Sequence, residues 1–487
     1  MSNNPINILF ACSEMTPWIK TGGLADVCGS LPQAIKRAGE NVWLVLPGYH
    51  SVMQTIAAPE FVTMLELPLG TVTVCKSDHN GTPVLLINHE SFTNRPGNPY
   101  MADADRPWPD NAQRFALFSQ AICCIAQNQA GLDWQPDIVH CHDWQTGLVP
   151  AMLSLEPFTP ATVFTIHNLA YQGNVSMDAY HELDLPEELL IQDGLEFWGQ
   201  ASFIKGGLAY ADRVNTVSPG YADEITTSAF GCGMEGLLQY RKDKLSGILN
   251  GIDTDSWNPS TDPHIAQTYT FDSIESKAKN KRDLQRSLNL EEDSEAVLFG
   301  VISRLAVQKG IDLIVEAISK VGCKNLQLAV LGSGDSELQT QLLKLAKAHP
   351  KRIAIEIGFN ETLSHKIEAG ADVFLMPSRY EPCGLNQMYS HRYGTLPLVT
   401  RVGGLADTVK DINDNPEQAN GFVISAANPL ALQQGIVRAI ALYSDQVSWK
   451  KLQRNAMDAN YSWTESASKY LKLYRELLPS TASQKPL

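Results

Sequence analysis

Residues 6–27 read INILFACSEMTPWIKTGGLADV, an apolar run of strand length followed by a glycine pair and the start of an amphipathic segment. Apolar residues then recur every three or four positions as far as Ile35, which is the spacing of one helix face. Gly39 ends this pattern, and a second apolar run follows at 41–46. Strand, helix and strand in this order predict a parallel βαβ unit.

The same alternation continues through both halves of the chain. Further strands are predicted at 84–87, 137–140, 161–166 and 213–217, and then at 296–302, 326–331, 352–357, 372–376 and 396–400. Helices are predicted at 111–128, 310–321, 336–349, 361–370, 384–393 and 449–478. This pattern predicts an α/β protein with two doubly wound, Rossmann-like domains.

The junction between the halves is marked by turn-forming dipeptides. Asn-Gly, Asn-Pro and Asp-Pro pairs lie in the polar stretch 250–293. We therefore predict an N-terminal domain over 1–246 and a C-terminal domain over 247–455. A C-terminal helix in 456–487 is expected to cross back to the first domain before a frayed tail. Because such sheets bind ligands outside the carboxyl ends of their strands, we expect the two domains to face each other across a deep cleft.

Composition restricts the class of protein. The chain has 487 residues, 44% of them apolar and 19% charged, with a net charge of −15. A chain this acidic is not expected to bind nucleic acid, because phosphate backbones attract basic surfaces. No apolar run approaches the length that crosses a bilayer, and the N-terminus does not resemble a secretory signal. The nine cysteines have no regular spacing, which favours a reducing, cytoplasmic location.

The glycine pair Gly22-Gly23 is echoed by Gly403-Gly404. Each pair precedes Leu-Ala-Asp and closely follows a basic residue, Lys20 or Arg401. Glycines at a helix start let the backbone approach a ligand, and the free N–H groups favour an anion there. Two such loops would grip a phosphorylated ligand from both domains. The alternative is that each pair only lets a helix pack tightly on a strand.

Two cations follow a predicted strand of the second half. Arg304 and Lys309 lie between the strand ending at Ile302 and the next helix. A guanidinium and an ammonium in that position can hold a diphosphate and neutralise the charge that develops on a leaving group. The alternative is a solvated surface pair.

An acidic loop follows another strand of the second half. Glu381 lies just before a predicted helix, with Cys383 and Gly384 next to it. The carboxylate can accept hydrogen bonds from sugar hydroxyls, and the following N–H groups can bind further sugar oxygens. The alternative is that Glu381 only caps the helix.

These segments together resemble bacterial glycogen synthases and plant starch synthases. The resemblance extends from about Asn7 to Tyr474 without large gaps. The segments that carry it are KTGGLADV at 20–27, HCHDW at 140–144, TIHNLAYQG at 165–173, GMEGLL at 233–238, LNGID at 249–253, SRL at 303–305 with QKG at 308–310, RYEPCGL at 379–385 and YGTLPLV at 393–399.

The resemblance implies a GT-B fold and retaining transfer of glucose from ADP-glucose to the non-reducing end of an α-1,4-glucan such as glycogen, without a metal or other cofactor. The implied catalytic residues are His167, Arg304, Lys309 and Glu381. The implied donor-binding residues are Lys20, Gly22, Gly23, Asn168, Asn250, Cys383 and Gly384. Gly403 and Gly404 are added because they repeat the Gly22-Gly23 pattern. The implied acceptor-binding or cleft residues are Glu14, Asp26, Tyr100, Asp143 and Trp144.

Three positions depart from the patterns of related enzymes. Many retaining enzymes of this fold carry a second glutamate eight positions after the first, where this chain has Tyr389. Asn386 and Phe359 stand where threonine and tyrosine are common. The alternatives are therefore a related transferase that uses UDP-glucose or another acceptor, and a non-catalytic glucan-binding protein. A phosphorylase would need a lysine-bound pyridoxal phosphate, which no motif identifies.

The spacing His140-x-His142-Asp143 also allows a metal hypothesis, because alternate residues of a strand share one face. No third ligand set accompanies it, and the family resemblance implies none, so we predict no metal site. Trp144 fits stacking on a sugar ring or ordinary packing.

Overall fold

A computed structural model describes residues 4–56, 58–103, 106–321 and 325–478. The chain divides into two compact units. The first combines Met1–Gly251 with Trp463–Leu487, and the second is Ile252–Ser462. No helix in the described ranges has both the length and the apolar character needed to cross a membrane.

The first unit is built on a mixed sheet. Its strands in the described ranges are Asn7–Ala11 (β1), Asn41–Pro47 (β2), Glu60–Leu67 (β3), Gly70–His79 (β4), Thr82–Asn88 (β5), Ile138–His142 (β6), Ala161–Ile166 (β7), Asn174–Ser176 (β8), Glu196–Phe197 (β9), Gln200–Ser202 (β10), Arg213–Thr216 (β11) and Leu245–Gly247 (β12). The main sheet has the order β12-β11-β7-β6-β1-β2-β5-β4-β3, and a small separate sheet has the order β8-β10-β9. In the main sheet β3 and β4 are antiparallel to their neighbours, and the other pairs are parallel.

Helices connect these strands and cover the sheet. They are Gly23–Arg37 (α1), His50–Thr55 (α2), Glu90–Thr93 (α3), Asn111–Ala126 (α4), Leu148–Leu153 (α5), Met177–His181 (α6), Phe203–Tyr210 (α7), Pro219–Glu224 (α8) and Glu235–Tyr240 (α9), with 3-10 turns at Trp144–Thr146, Glu187–Leu189 and Lys242–Lys244. The first strand, the glycine pair and the helix after it lie where the sequence predicts them, since α1 begins at Gly23.

The second unit is a parallel sheet covered on both faces. Its strands are Val297–Ile302 (β13), Leu326–Gly332 (β14), Ile353–Ile357 (β15), Val373–Met376 (β16), Leu396–Thr400 (β17) and Phe422–Ile424 (β18), in the order β15-β14-β13-β16-β17-β18. Its helices are Lys277–Ser287 (α10), Ile311–Val321 (α11), Ser336–Ala348 (α12), Glu361–Gly370 (α13), Asn386–Arg392 (α14), Gly403–Thr408 (α15), Pro429–Tyr443 (α16) and Gln446–Met457 (α17), with 3-10 turns at Phe271–Ser276 and Val307–Lys309. Alternate residues of β13 enter two different apolar clusters, with Val297, Phe299 and Val301 in one and Leu298 in the other.

The order of the strands reverses once in each sheet. In the first unit β1 lies between β2 and β6, and in the second β13 lies between β14 and β16. The connections leave these neighbouring strands in opposite directions, which opens a crevice at their carboxyl ends. The segments after β1, β6, β13 and β16 therefore line the crevices in which a ligand of such a sheet is expected.

The C-terminal helix, Trp463–Leu477, belongs to the first unit. Two of its buried tyrosines bond the back of the main sheet. The Tyr474 hydroxyl shares a hydrogen bond of 2.7 Å with Nδ1 of His140, and the Tyr470 hydroxyl accepts one of 3.0 Å from Asn215. The helix therefore supports strands β6 and β11 directly.

The predicted helix at 449–478 is interrupted. Helix α17 ends at Met457 and the C-terminal helix begins at Trp463. Between them the carbonyl of Tyr461 accepts a hydrogen bond of 2.8 Å from the N–H of Ile252. The apolar periodicity correctly predicts helix on both sides of the break, where Tyr461 pairs with Ile252, 209 positions away in sequence.

Two lysines of the charge-rich helix α10 are buried rather than solvated. Lys277 and Lys281 are 6% and 5% exposed. Lys281 lies 2.7 Å from the carboxylate of Asp372, and Lys277 donates hydrogen bonds to the carbonyl of Ala369 and the hydroxyl of Thr395. Burial is tolerated because each ammonium has close acceptors.

Candidate active site

Glu14 organises the loop that follows β1. One carboxylate oxygen accepts hydrogen bonds from the hydroxyls of Tyr100, at 2.7 Å, and Thr21, at 2.6 Å. The other accepts from the N–H groups of Thr21 and Gly22. Burial together with the Glu14 charge holds the pKa of the Tyr100 hydroxyl well above its usual value. Tyr100 therefore remains a neutral donor to Glu14.

Lys20 and Asp26 form an ion pair, with 2.7 Å between the ammonium and the carboxylate. The sequence assigns Lys20 to the donor side and Asp26 to the acceptor side, but the structure brings them together. Burial raises the pKa of Asp26, and Lys20 partly opposes that shift. In this state the ammonium of Lys20 already has an anionic partner, as Arg401 has in Asp414.

The two glycine pairs differ in what surrounds them. Gly22 and Gly23 are exposed, and a Cβ added at either would meet no atom within 4 Å. Gly404 is buried, and a Cβ there would lie 2.3 Å from the Cys383 carbonyl oxygen. The tight-packing alternative therefore describes Gly404 and fails for Gly22-Gly23, where the backbone borders open space.

Asp143 has an unusual backbone conformation and a carboxyl group with a raised pKa. Its φ of 56° and ψ of −178° lie in a region that residues other than glycine rarely occupy. Its carboxylate accepts a hydrogen bond of 2.7 Å from the N–H of His167. Burial raises its pKa to about 7, against the opposing effect of the N–H groups of His167 and Asn168. This strained acid lies directly after β6, in the crevice of the first sheet.

A row of histidines runs from the site into the sheet. Nε2 of His167 lies 2.9 Å from Nδ1 of His142, and the rings of His142 and His140 are 4.1 Å apart. His140 is bonded in turn to Tyr474 and Thr165. Burial lowers the pKa of His167 and of His140 to about 3. The row is therefore uncharged at neutral pH.

Sequence reasoning did not assign His142 to the site except as a metal ligand. Its Nε2 is buried and has no hydrogen-bond partner among the described residues. The strand spacing of His140 and His142 held the signal, because it places both rings on one face. Over the described ranges no group of three or more His, Cys, Asp or Glu side chains has the geometry of a metal site.

The remaining predicted residues of the first unit lie in different surroundings. Asn168 is partly buried and accepts a hydrogen bond from the N–H of Ala170. Trp144 packs edge-on against Phe115, so much of its ring serves packing. Asn250 is 5% exposed, and its Oδ1 has no partner in the part of the chain that the structure describes. A buried amide oxygen without a partner indicates a place where a ligand can donate a hydrogen bond.

In the second unit, Lys309 and Glu381 form an ion pair of 2.6 Å. Glu381 is 6% exposed and also accepts a hydrogen bond of 3.0 Å from the hydroxyl of Ser378. Helix α14 begins only at Asn386, so Glu381 does not act as its N-cap. The acid is held by a cation and a hydroxyl in the loop after β16, and the capping alternative is wrong.

Arg304 is exposed in the loop after β13 and donates a hydrogen bond of 3.3 Å to Gln308. This loop is tied to the acidic loop. The guanidinium of Arg379 forms a two-pronged ion pair with Asp312, at 2.8 and 2.7 Å, and the N–H of Arg379 donates to the carbonyl of Gln308. The pair fixes the loop of Arg304 and Lys309 beside the loop of Glu381.

Glycines bring the remaining segments together. The N–H of Gly404 donates a hydrogen bond of 3.2 Å to the carbonyl of Glu381. Gly384 has a φ of 73°, which favours glycine, and Gly403 has a φ of 41°. Gly403 and Gly404 thus support the backbone of 381–384 from behind. The second unit joins Arg304, Lys309, Glu381, Cys383, Gly384, Gly403 and Gly404 at one end of its sheet.

Comparison with known proteins gives matches along the chain. Residues 7–240 match the family described as starch synthase catalytic domain, and residues 280–456 match the family described as glycosyl transferases group 1. The chain is 48% identical over 480 residues to glycogen synthase 1 of Methylococcus capsulatus, with 97% of each chain covered. It is 50% identical over 477 residues to the glycogen synthase of Cellvibrio japonicus, covering 97% of this chain and 99% of the relative.

Solved structures give the same relationship. The catalytic domain of starch synthase IV from Arabidopsis thaliana, bound to ADP and acarbose, matches with a TM-score of 0.85 and 32% identity, covering 97% of this chain and 99% of that one. A sucrose-phosphate synthase from Thermosynechococcus elongatus matches with a TM-score of 0.60 at 18% identity, covering 97% and 99%, and shares the fold alone. The fold is therefore of the GT-B class, with two Rossmann-like domains.

Proposed function

Because this chain belongs to the family of glycogen and starch synthases, we propose that it transfers glucose from ADP-glucose to the non-reducing end of an α-1,4-glucan, with glycogen as the product and with retention of configuration. One structural observation supports the donor side most strongly. Lys309 and Glu381 form a partly buried ion pair at the strand-order reversal of the second sheet, with Arg304 in the adjoining loop. The sequence assigns the cations to a diphosphate and the acid to a hexose.

The cations act on the leaving group. As the bond from glucose to the diphosphate breaks, negative charge grows on ADP, and Arg304 and Lys309 neutralise it. Lys309 is paired with Glu381 in the structure, so a bound diphosphate shares or replaces that pairing. Glu381 then has acceptor capacity for glucose hydroxyls, and the N–H groups of Cys383 and Gly384 bind further sugar oxygens. Lys20, Gly22 and Gly23 approach the donor from the first unit.

The histidine beside the transferred glucose acts as a neutral group. The lowered pKa keeps His167 uncharged at physiological pH, so it polarises a sugar oxygen through hydrogen bonding rather than through charge. Asn168 and Asn250 bind hydroxyls of the same glucose. The unpartnered Oδ1 of Asn250 supports this role, because a sugar hydroxyl can donate to it.

The acceptor glucan binds at the first unit. Glu14 and Asp143 lie on the loops after β1 and β6 and offer carboxyl groups. Tyr100, in the segment between α3 and α4, offers a hydroxyl beside Glu14. Asp26 and Trp144 border them. Retention follows the front-face route that the family resemblance implies. In that route the leaving phosphate takes the proton of the attacking hydroxyl, so no enzyme base is required. The two domains are expected to close over the donor.

We also propose a cytoplasmic location, where the cysteines of the enzyme stay reduced. None of the eight cysteines of the described ranges is in a disulfide, which supports this location.

The direct test is incorporation of labelled glucose into glycogen. Purified protein is given ADP-glucose or UDP-glucose with the same glycogen primer, and the product is digested with an α-1,4-specific amylase. We expect labelled glucose from ADP-glucose to be incorporated, and we expect the amylase to release that label from the product. Faster incorporation from UDP-glucose would show that UDP-glucose is the donor instead. No incorporation from either would favour a glucan-binding protein without activity.

A further inference from the structure

A tryptophan occupies the tip of the hairpin that joins β9 and β10. Trp198 and Gly199 form its two-residue turn, flanked by the paired residues Phe197 and Gln200. Trp198 has a φ of 52° and Gly199 a φ of 77°. Hairpin turns with positive φ at both positions strongly favour asparagine, aspartate or glycine, because a bulky side chain is strained there.

The same tryptophan is 84% exposed. The turn conformation disfavours it, and burial does not compensate for the strain. Neither packing nor turn geometry explains an indole at this position. Residues with strained backbone conformations cluster at active sites and at sites that bind a ligand.

The hairpin has contacts on two sides of the indole. The N–H of Gly199 donates a hydrogen bond of 2.8 Å to the Glu196 carboxylate. On the other side lies Gly233, whose φ of 84° favours glycine, and a Cβ there would lie 3.0 Å from the Phe197 ring and 3.6 Å from Nε1 of Trp198. Pre-positioned aromatic rings bind with little loss of conformational entropy.

The hairpin is joined to the segment that carries His167 and Asn168. The N–H of Tyr171 donates to the carbonyl of Asn168, and Gln172 donates to the carbonyl of Cys232, next to Gly233. Strand β8 follows immediately and pairs with β10. Tyr171 is itself 52% exposed. The exposed indole therefore stands on a hairpin bonded to the segment that continues from His167 and Asn168 in the first unit.

We propose that Trp198 is a stacking platform for the acceptor glucan, binding a glucose ring beyond the reacting end of the chain. The inference rests on the proposed function, which supplies the α-glucan. A glucan is neutral and offers apolar C–H faces to an aromatic ring, and it is not repelled by a chain with a net charge of −15. A polyanionic partner would be repelled. A second copy of the chain would need a wide apolar patch, whereas this platform is a single ring on a hairpin.

The decisive variant is Trp198→Asn. Asparagine suits the positive φ, so the turn is kept or stabilised while the ring is removed. Phe158→Ala is the matched control, because Phe158 is a 90% exposed aromatic residue of the same unit outside the site. The measurements are glycogen affinity by native gel retardation, KM for glycogen at saturating ADP-glucose, melting temperature, and mass by sedimentation.

We expect Trp198→Asn to weaken glycogen binding and raise KM for glycogen by about two- to tenfold. Its melting temperature should be unchanged or higher, and Phe158→Ala should match the wild type. Unchanged glycogen affinity and KM in Trp198→Asn would overturn the platform, as would a loss of mass that revealed a dimer interface. Failure of the wild type to incorporate glucose from ADP-glucose would instead contradict the proposed function, because retardation by glycogen is measured without a donor.

Discussion

The ammonium of Lys309 lies 2.6 Å from the carboxylate of Glu381, so the cation and the acid that the sequence assigns to different parts of the donor share one ion pair. Seventy-two positions separate them along the chain. They meet because β13 and β16 are neighbours in the sheet and because Arg379 and Asp312 join the loops that follow these strands. Charge on either partner therefore affects the other before any substrate is bound.

This pairing predicts different losses for the two partners. Lys309→Ala should weaken ADP binding and lower kcat by about 10²- to 10³-fold, because a fixed positive charge at the leaving group is removed. Glu381→Gln should lower kcat to a similar degree but keep or tighten ADP binding, because it removes a negative charge near the diphosphate. Kinetics with ADP-glucose and calorimetry with ADP measure the two effects.

The control for this pair is Lys320→Ala. Lys320 forms an exposed ion pair of 2.6 Å with Glu316 in the same unit, so it reproduces the loss of a paired lysine away from the site. It should change neither ADP affinity nor kcat. Equal loss of ADP affinity in Lys309→Ala and Lys320→Ala would contradict the assignment of Lys309 to the diphosphate.

The two glycine pairs predict different outcomes for a Gly→Ala substitution, one affecting substrate binding and the other stability. Gly22→Ala should leave stability unchanged, because its φ of −156° suits any residue and its Cβ would meet no atom within 4 Å. Its KM for ADP-glucose should rise, because the methyl group enters the space a donor needs. Gly404→Ala should destabilise the second unit by about 1–3 kcal/mol, since its Cβ would overlap the Cys383 backbone.

Thermal unfolding and KM separate these two effects. A large loss of stability in Gly22→Ala would mean that its glycine serves folding rather than binding. A fully stable Gly404→Ala would mean that the backbone of 381–384 yields easily and is not held by this glycine.

Much of the fold follows from local pattern. The parallel strands are short apolar runs between turn signals, and most of the predicted strands lie within a residue or two of those observed. The antiparallel pair β3 and β4 was not predicted. Edge strand β3 exposes Phe61 and Met64, so burial does not impose a clear inside–outside alternation on its sequence.

The site is less accessible from sequence because its contacts are long-range. The residue types after each strand could be selected from chemistry, but their pairing could not. The residue types alone do not show that Lys20 pairs with Asp26 rather than with a bound phosphate, or that Lys277 is buried against carbonyls on a neighbouring helix. The two glycine pairs look alike in sequence but differ in backbone conformation and in what tertiary packing places beside them.

The C-terminal helix predicts a stability effect far from its own position in sequence. Tyr474→Phe removes the hydroxyl bonded to buried His140 and leaves Nδ1 without that partner, which should cost about 1–3 kcal/mol. Hydrogen exchange of strand β6 should accelerate. Tyr240→Phe is the control, because Tyr240 is 86% exposed. Unchanged exchange in Tyr474→Phe would show that the helix does not support this strand.

The raised pKa of Asp143 predicts a pH-dependent stability that Asp143→Asn removes. Asparagine keeps an oxygen for the N–H of His167 and matches aspartate in shape, so it adds no backbone strain to that already present at Asp143. Burial raises the carboxyl pKa from 3.8 to about 7, so the wild type is most favoured below pH 4 and loses that stability as pH rises through 7. The free energy of unfolding of the variant minus that of the wild type should therefore rise by up to about 4 kcal/mol as pH increases from 4 to 7, at about 1.4 kcal/mol for each pKa unit. Urea unfolding at intervals from pH 4 to 8 measures the difference, and subtraction cancels every other titrating group. A difference that stays constant over this range would show that Asp143 ionises with an ordinary pKa in the folded protein.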